Sequence, residues 1–189
     1  MTDKFDLTII GAGPTGLFAA YYGGFRGLRV KVIDSMPEPG GQIAALYPEK
    51  EIYDVAGLPR ILGRELVRNL VEQAGQYSPA ICLDEAVETL ELLGDHIRLG
   101  TNKGEHRTTA VLITAGIGMF TPRKLPRPEL ARFEGKGLAY FVKRLEEYWE
   151  KELLVIGGGD SAVDWCLSLD GITRSTTLVH RRDKFRAHE

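Results

Sequence analysis

Short apolar runs that end at glycine alternate along this chain with longer stretches of helical periodicity. Residues 6–10 (DLTII) form an apolar run that stops at Gly11, the pattern of a buried strand. Residues 15–26 place Leu17, Ala20, Tyr21 and Gly24 on one side, with Gly27 as the stop signal, and read as a helix. Residues 30–33 (VKVI) are a second strand, ending at Asp34. Strand, turn, helix and strand within about 30 residues make a βαβ unit, with a right-handed crossover expected. Residues 35–62 are rich in Pro and Gly and show no period, which predicts a long loop of the kind that usually carries function. Residues 63–74 return to helical spacing through Leu66, Val67, Leu70, Val71 and Ala74.

Between residues 80 and 114 the pattern breaks into four short runs, AICL, VETLEL, HIRL and AVLIT, with Gly94-Asp95 as a turn signal. Together they predict a small antiparallel meander. Residues 116–137 are punctuated by Gly116, Gly118, Pro122, Pro126 and Pro128, which suggests a crossing between domains. A polar helix is expected at 141–151. The opening pattern then returns: an apolar run at 153–156 (LLVI), the turn Gly157-Gly-Gly-Asp-Ser-Ala162, a helix at 161–169, and a strand at 177–179 before His180. The chain thus holds two βαβ units, 146 positions apart.

Composition narrows the classes. With 24 Lys+Arg against 26 Asp+Glu the net charge is −2, and 43% of residues are hydrophobic, the balance of a globular protein and not of a disordered one. So small a charge gives no support for a nucleic-acid surface. The 22 glycines are in excess, and they concentrate at the turns. Cys82 and Cys166 have no partner spacing, which excludes a disulfide scaffold, a CxxC pair and a Cys-based zinc site and points to a reducing, cytoplasmic compartment. His96, His106, His180 and His188 show no metal spacing. Residues 7–25 lack charge over 19 positions, near the length of a bilayer span, but five glycines and Pro14 suit a sharp turn better, so no membrane span is expected.

The turn Gly11-Ala-Gly13-Pro-Thr15-Gly16 fits G-x-G-x-x-G. The first glycine permits the tight turn, the second lets backbone approach a pyrophosphate, and the third allows close helix–strand packing. Asp34 follows Gly11 by 23 residues, near the ~20 expected of a carboxylate that holds a ribose diol. The second turn, with Gly157, Gly159, Asp160, Ser161 and Ala162, fits the G-x-G-x-x-A variant. At its strand tip stand His180, Arg181 and Arg182, with Lys184 and Arg186 close behind, where the first unit has an acid. A carboxylate would repel a 2′-phosphate, whereas guanidinium forks bind one. The first cradle therefore disfavours NADP and the second favours it.

A chain with these two cradles resembles the two-dinucleotide-binding flavoproteins, whose first site holds FAD. Gly40-Gly41-Gln42, Thr114-Ala115-Gly116 and the second cradle resemble the thioredoxin reductase branch. The CxxC which that branch carries shortly before its second cradle is missing here; the region reads Tyr140-Phe-Val-Lys-Arg144. With residues 45–50 (ALYPEK), 52–57 (IYDVAG) and 120–124 (FTPRK), the chain resembles the thioredoxin-reductase-like ferredoxin–NADP(+) reductases along all 189 residues.

The resemblance implies an α/β fold of two Rossmann-like βαβ units plus the β-meander, a three-layer flavoprotein architecture incomplete at its C-terminus. An FAD-binding domain is expected at 1–116, with the meander near 80–114, and the first part of an NADP-binding domain at 117–189. Thr15 and Asp34 are expected to meet the FAD phosphates and ribose, Gln42 and Tyr47 the isoalloxazine, Val87 the adenine through its backbone, and Phe120 the flavin ring. No catalytic acid or base is implied, because hydride transfer from NADPH belongs to the cofactors. Electrons are expected to pass to ferredoxin or flavodoxin, and the full-length protein to be a homodimer. The alternatives are an NADPH-dependent disulfide reductase, which the missing CxxC opposes, and a non-catalytic nucleotide-binding redox module. Family members continue past the point where this chain stops, so a fragment that holds FAD poorly and does not turn over NADPH is expected.

Overall fold

The computed structural model describes residues 4–118, 122 and 124–187. The chain divides into two units, Met1–Phe141 and Val142–Glu189. The boundary expected from sequence, at 116/117, lies within the first of these units.

The first unit begins with β1 (Phe5–Ile10), α1 (Pro14–Phe25) and β2 (Val30–Ile33). The 19 uncharged positions are thus split between strand, turn and a 12-residue helix. Next come α2 (Gly41–Leu46), the two-residue strands β3 (Glu51–Ile52) and β4 (Ile61–Leu62), and α3 (Gly63–Gly75). The loop expected at 35–62 is therefore partly ordered, by a six-residue helix and an antiparallel hairpin too short to leave a period in the sequence. β5 (Ala80–Cys82), β6 (Val87–Leu93), β7 (His96–Thr101) and β8 (Gly104–Ile113) complete the unit.

These strands form one six-stranded sheet in the order β5-β2-β1-β8-β7-β6. Of the four runs assigned to the meander, one belongs wholly and one partly elsewhere. β5 is a parallel neighbour of β2, with Lys31 opposite Ala80. β8 pairs antiparallel with β7 over its first half and parallel with β1 over its second, and Thr108 takes part in both ladders. Periodicity marks a strand but not its partner, and only tertiary placement separated the two roles. α1 and α3 lie together, and Ile9, Ala12, Leu17, Ala20, Val30, Val32 and Ala74 form the buried cluster beneath them. Leu17 is fully buried, so its truncation to Ala is worth about 2–5 kcal/mol.

The second unit holds β9 (Glu152–Ile156), α4 (Asp160–Ser168) and β10 (Ser175–Val179), with β9 and β10 parallel. The polar helix expected at 141–151 is not formed; only a 3₁₀ turn stands at Leu145–Tyr148. Phe141, Val142, Leu145 and Tyr148 do recur at helical spacing and are partly buried, but the backbone is extended at Arg144, leaves the helical region at Trp149 and is left-handed at Glu150, so only the single turn between them is helical. Among the described residues no helix is long and apolar enough to cross a membrane, and no group of three or more His, Cys, Asp or Glu is placed to hold a metal ion.

Candidate nucleotide-binding site

The first cradle is made by strand pairing and closed by glycine. The amide of Gly11 donates to the carbonyl of Ile33 at 2.8 Å, which turns the chain off β1 at the tip of β2. Gly11 sits at φ +107°, a region that side chains rarely adopt, and a Cβ there would lie 2.5 Å from the carbonyl oxygen of Thr114. A Cβ at Gly16 would overlap the carbonyl of Gly11. Gly13 differs: its φ is ordinary, and a Cβ would meet only the Cα of Gly41, 3.9 Å away. The protein's own packing thus demands glycine at 11 and 16 but not at 13. The space over Gly13 is open, as a pyrophosphate approaching the α1 N-terminus would require.

Around this turn lies a cavity of about 460 Å³. Gly11, Gly13, Pro14 and Thr15 form its floor, and Thr15 is exposed toward it. On the β2 side stand Asp34, Ser35 and Met36, joined to Glu85, Ala86 and Val87 by the hydrogen bond from the Glu85 amide to the Asp34 carbonyl at 2.9 Å. On the β8 side stand Gln42, Tyr47 and residues 114–118, with the Gln42 Nε2 3.2 Å from the place a Gly116 Cβ would take. The loop after β2 is tied to the cradle by the Gly40 amide, which donates to the carbonyl of Ala12 at 2.8 Å.

Asp34 has a structural task as well. Its Oδ2 accepts from the Ala12 amide at 2.5 Å and its Oδ1 from the Met36 amide at 2.8 Å. A carboxylate has about four lone-pair sites, so it keeps capacity for a ribose diol. Glu85, buried on the same wall, takes donors from His106 and Thr101, each at 2.6 Å to Oε1. Burial is the largest single effect and pushes its carboxyl upward, but these two hydrogen bonds, together with the electrostatic pull of His106 and Lys103, hold it below the ordinary carboxylate range. Burial and the nearby Glu85 raise the Cys82 thiol, which marks it as an unreactive cysteine.

The second cradle repeats the first. The Gly157 amide donates to the carbonyl of Val179 at 3.0 Å, and the amides of Ala162 and Val163 to the carbonyl of Gly159. A Cβ at Gly157 would stand 2.8 Å from that of Ala162, while one at Gly159 would meet nothing. The position equivalent to Gly13 is open here too. His180 lies where a Cβ on Gly158 would go, stacks on Phe185 at 5.4 Å between ring centres, and its Nε2 lies 3.1 Å from the Lys184 carbonyl. Arg181, Arg182 and Arg186 are exposed, as are Asp160 and Ser161 at the start of α4.

Of the residues expected around the first nucleotide, Gly11, Gly13, Thr15, Asp34, Gln42, Tyr47 and Val87 line the one cavity, and Gly16 packs behind it. Phe120 lies outside the described residues, as does His188. Sequence reasoning did not single out Met36, Glu85 or Ala86. The motif Thr114-Ala-Gly116 could have pointed to its own residues as lining, since it closes the strand beside β1.

The sequence profile of the family described as pyridine nucleotide-disulphide oxidoreductase matches residues 5–189, and so takes in both cradles. The chain belongs to this family. As a pyridine nucleotide-disulphide oxidoreductase family member it is 56% identical over 186 residues to a ferredoxin–NADP reductase of Geobacillus kaustophilus, and 55% identical to ferredoxin–NADP reductase 2 of Bacillus cytotoxicus. In each case the match covers 98% of this chain and 56% of the relative, so the chain spans little more than half the length of these relatives. Among solved structures, thioredoxin reductase of Lactococcus lactis is 33% identical with a TM-score of 0.77, covering 98% of this chain and 59% of that one. Thioredoxin reductase of T. acidophilum, at 24% identity and a TM-score of 0.79 over 98% of this chain and 59% of that one, has the same fold.

Proposed function

We propose that the first unit binds FAD, that the second begins an NADP(H) site, and that the protein to which both belong is a ferredoxin–NADP(+) reductase. The observation that carries this reading is the pair of cradles with opposite chemistry at the following strand tip, Asp34 in one and His180-Arg181-Arg182 in the other. In the first cradle the amides around Gly13 and Thr15 face the pyrophosphate and Asp34 accepts from the ribose diol. Val87 and its neighbours border the adenine, and Gln42 and Tyr47 the flavin ring by amide hydrogen bond and aromatic contact. In the second, Gly157, Gly159 and the start of α4 take the pyrophosphate, and Arg181, Arg182 and Arg186 the 2′-phosphate. When bound, the flavin supplies hydride acceptance from NADPH and single-electron delivery to ferredoxin or flavodoxin. This chain's part is to bind, orient and exclude water.

The names of the relatives support ferredoxin as acceptor. A disulfide reductase would need a cysteine pair, and Cys82 and Cys166 lie 84 positions apart. A homodimer working in the cytoplasm completes the proposal. The test is to titrate residues 1–189 with FAD and read the flavin fluorescence, then to assay NADPH-driven reduction of ferredoxin and of thioredoxin by the longer protein. Weak but saturable FAD binding by residues 1–189, with ferredoxin turnover by the longer protein, is the expected result. Absence of FAD binding, or thioredoxin turnover that survives replacement of both cysteines by Ser, overturns it.

A further inference from the structure

Beneath the β2 side of the cavity, four polar side chains from four different segments form one connected line. Lys31 on β2 stands over the Phe5 ring, with Nζ 4.3 Å from its centre, and Nζ lies 2.8 Å from Nδ1 of His106 on β8. An ammonium has only protons to give, so Nδ1 accepts and the ring proton sits on Nε2. That proton points to Glu85 Oε1 at 2.6 Å, and the Thr101 hydroxyl at the end of β7 donates to the same oxygen. Each hydrogen bond has its direction fixed by the next, and the line runs without a break from cation to anion. Glu85 is 7% exposed, so any gap would leave a carboxylate buried without its donors.

This line grips the backbone that walls the cavity. The Ala86 amide donates to Asn102 Oδ1 at 2.8 Å, and the Asn102 amide to the Ala86 carbonyl at 3.2 Å. Lys103 Nζ donates to the Leu83 carbonyl at 2.9 Å, and the Glu85 amide to the Asp34 carbonyl. Residues 83–86 are therefore clamped between β2 and the turn joining β7 to β8. None of these contacts reaches the Gln42 and Tyr47 side.

We propose that Lys31, His106, Glu85 and Thr101 are positioning residues for the adenine half of the dinucleotide, setting its affinity through the placement of residues 85–87 and leaving the flavin half untouched. The proposal rests on the FAD reading of the first unit. It is tested on residues 1–189 with three probes, FAD by titration and AMP and FMN by competition, for the parent, His106→Leu and His106→Gln. His106→Leu removes an acceptor and a donor together, whereas Gln supplies both. His106→Leu is expected to weaken FAD and AMP about tenfold and to leave FMN within about twofold. His106→Gln is expected to restore both. Equal losses of AMP and FMN, no loss of either, or no rescue by Gln would overturn the proposal. Should His106→Leu fail to fold, Thr101→Val removes one donor only, and a loss of AMP affinity with FMN unchanged is the outcome required of it. A parent chain that binds none of the three probes overturns the FAD reading itself, and this proposal with it; a parent that binds all three while the variants match it overturns this proposal alone.

Discussion

The two cradles share a skeleton and differ where they choose a ligand. In both, the first glycine donates to the last carbonyl of the second strand, and the second glycine opens onto free space. Position 34 then carries a carboxylate that folds back onto the amide of Ala12, while the equivalent position 180 carries an imidazole lying over Gly158. Ala12 and Gly158 are themselves equivalent, 146 positions apart. The residue beneath the strand tip therefore matches the residue at it, since a small carboxylate leaves room for a Cβ and a ring does not. The turn is set by strand pairing; in the function proposed above, the preference for a free or phosphorylated ribose would be set by a few side chains just beyond it.

The largest way to break this correspondence is to fill glycines that packing demands. Gly16→Ala forces a Cβ into the backbone of Gly11 and is expected to cost about 3 kcal/mol, or roughly 6–12 °C in Tm. Gly13→Ala, in contrast, should lower Tm by only about 2–4 °C, the cost of Ala for Gly at an N-cap, and still weaken FAD, because a Cβ there would enter the space proposed for the ligand. Thermal melts of the two variants, with and without FAD, read the difference directly; equal melts would erase the distinction between packing and ligand glycines.

Next in size is the arginine pair. Replacing Arg181 and Arg182 together by Ala should weaken 2′,5′-ADP tenfold or more while 5′-ADP changes little, since each charge-assisted contact is worth roughly 1.5–3 kcal/mol. Parallel titrations with the two nucleotides decide it, and equal effects on both remove the 2′-phosphate role.

A smaller effect isolates the match between strand tip and turn. Gly158→Ala should lower the stability of the second unit by about 1–2 kcal/mol by displacing the His180 ring. The loss should vanish in a His180→Ala background, as a double-mutant cycle would show.

The smallest expected effect is in acid. Glu85 titrates below its ordinary value in the folded chain, so its hydrogen bonds stabilise the native state above that ordinary value, about 4.5, and are lost as pH falls through the lower native one. As pH falls below that ordinary value, acid unfolding should therefore be steeper for the parent than for Glu85→Gln.

How much of this was legible beforehand follows from what local sequence encodes. β1, α1, β2, α3, β9, α4 and β10 were each readable within one or two residues, because an apolar period and a glycine stop are local signals. The identity of β5 as a parallel strand was not, since three residues carry no record of their partner. The expected helix at 141–151 has apolar residues at helical spacing, yet the backbone departs from helix at Arg144, Trp149 and Glu150, so a local period did not decide the conformation of so short a run. The cradle residues could be read from their motif and from the acid 23 positions on. Glu85 could not, because its partners come from 16 and 21 positions away along a folded sheet.

The double membership of β8 carries a consequence for the order of assembly. Phe5 on β1 pairs with Thr108, so the second neighbour of the first strand is made 103 residues after it. At ~5–20 residues per second, synthesis leaves that edge of β1 open for roughly 5–20 s. Only β2 can cover the other edge meanwhile, and the fully buried Ile9 waits beside it. The β6-β7-β8 hairpins, local in sequence, can close first and deliver β8 already formed, so the meander acts as the template on which the nucleotide-binding half is finished.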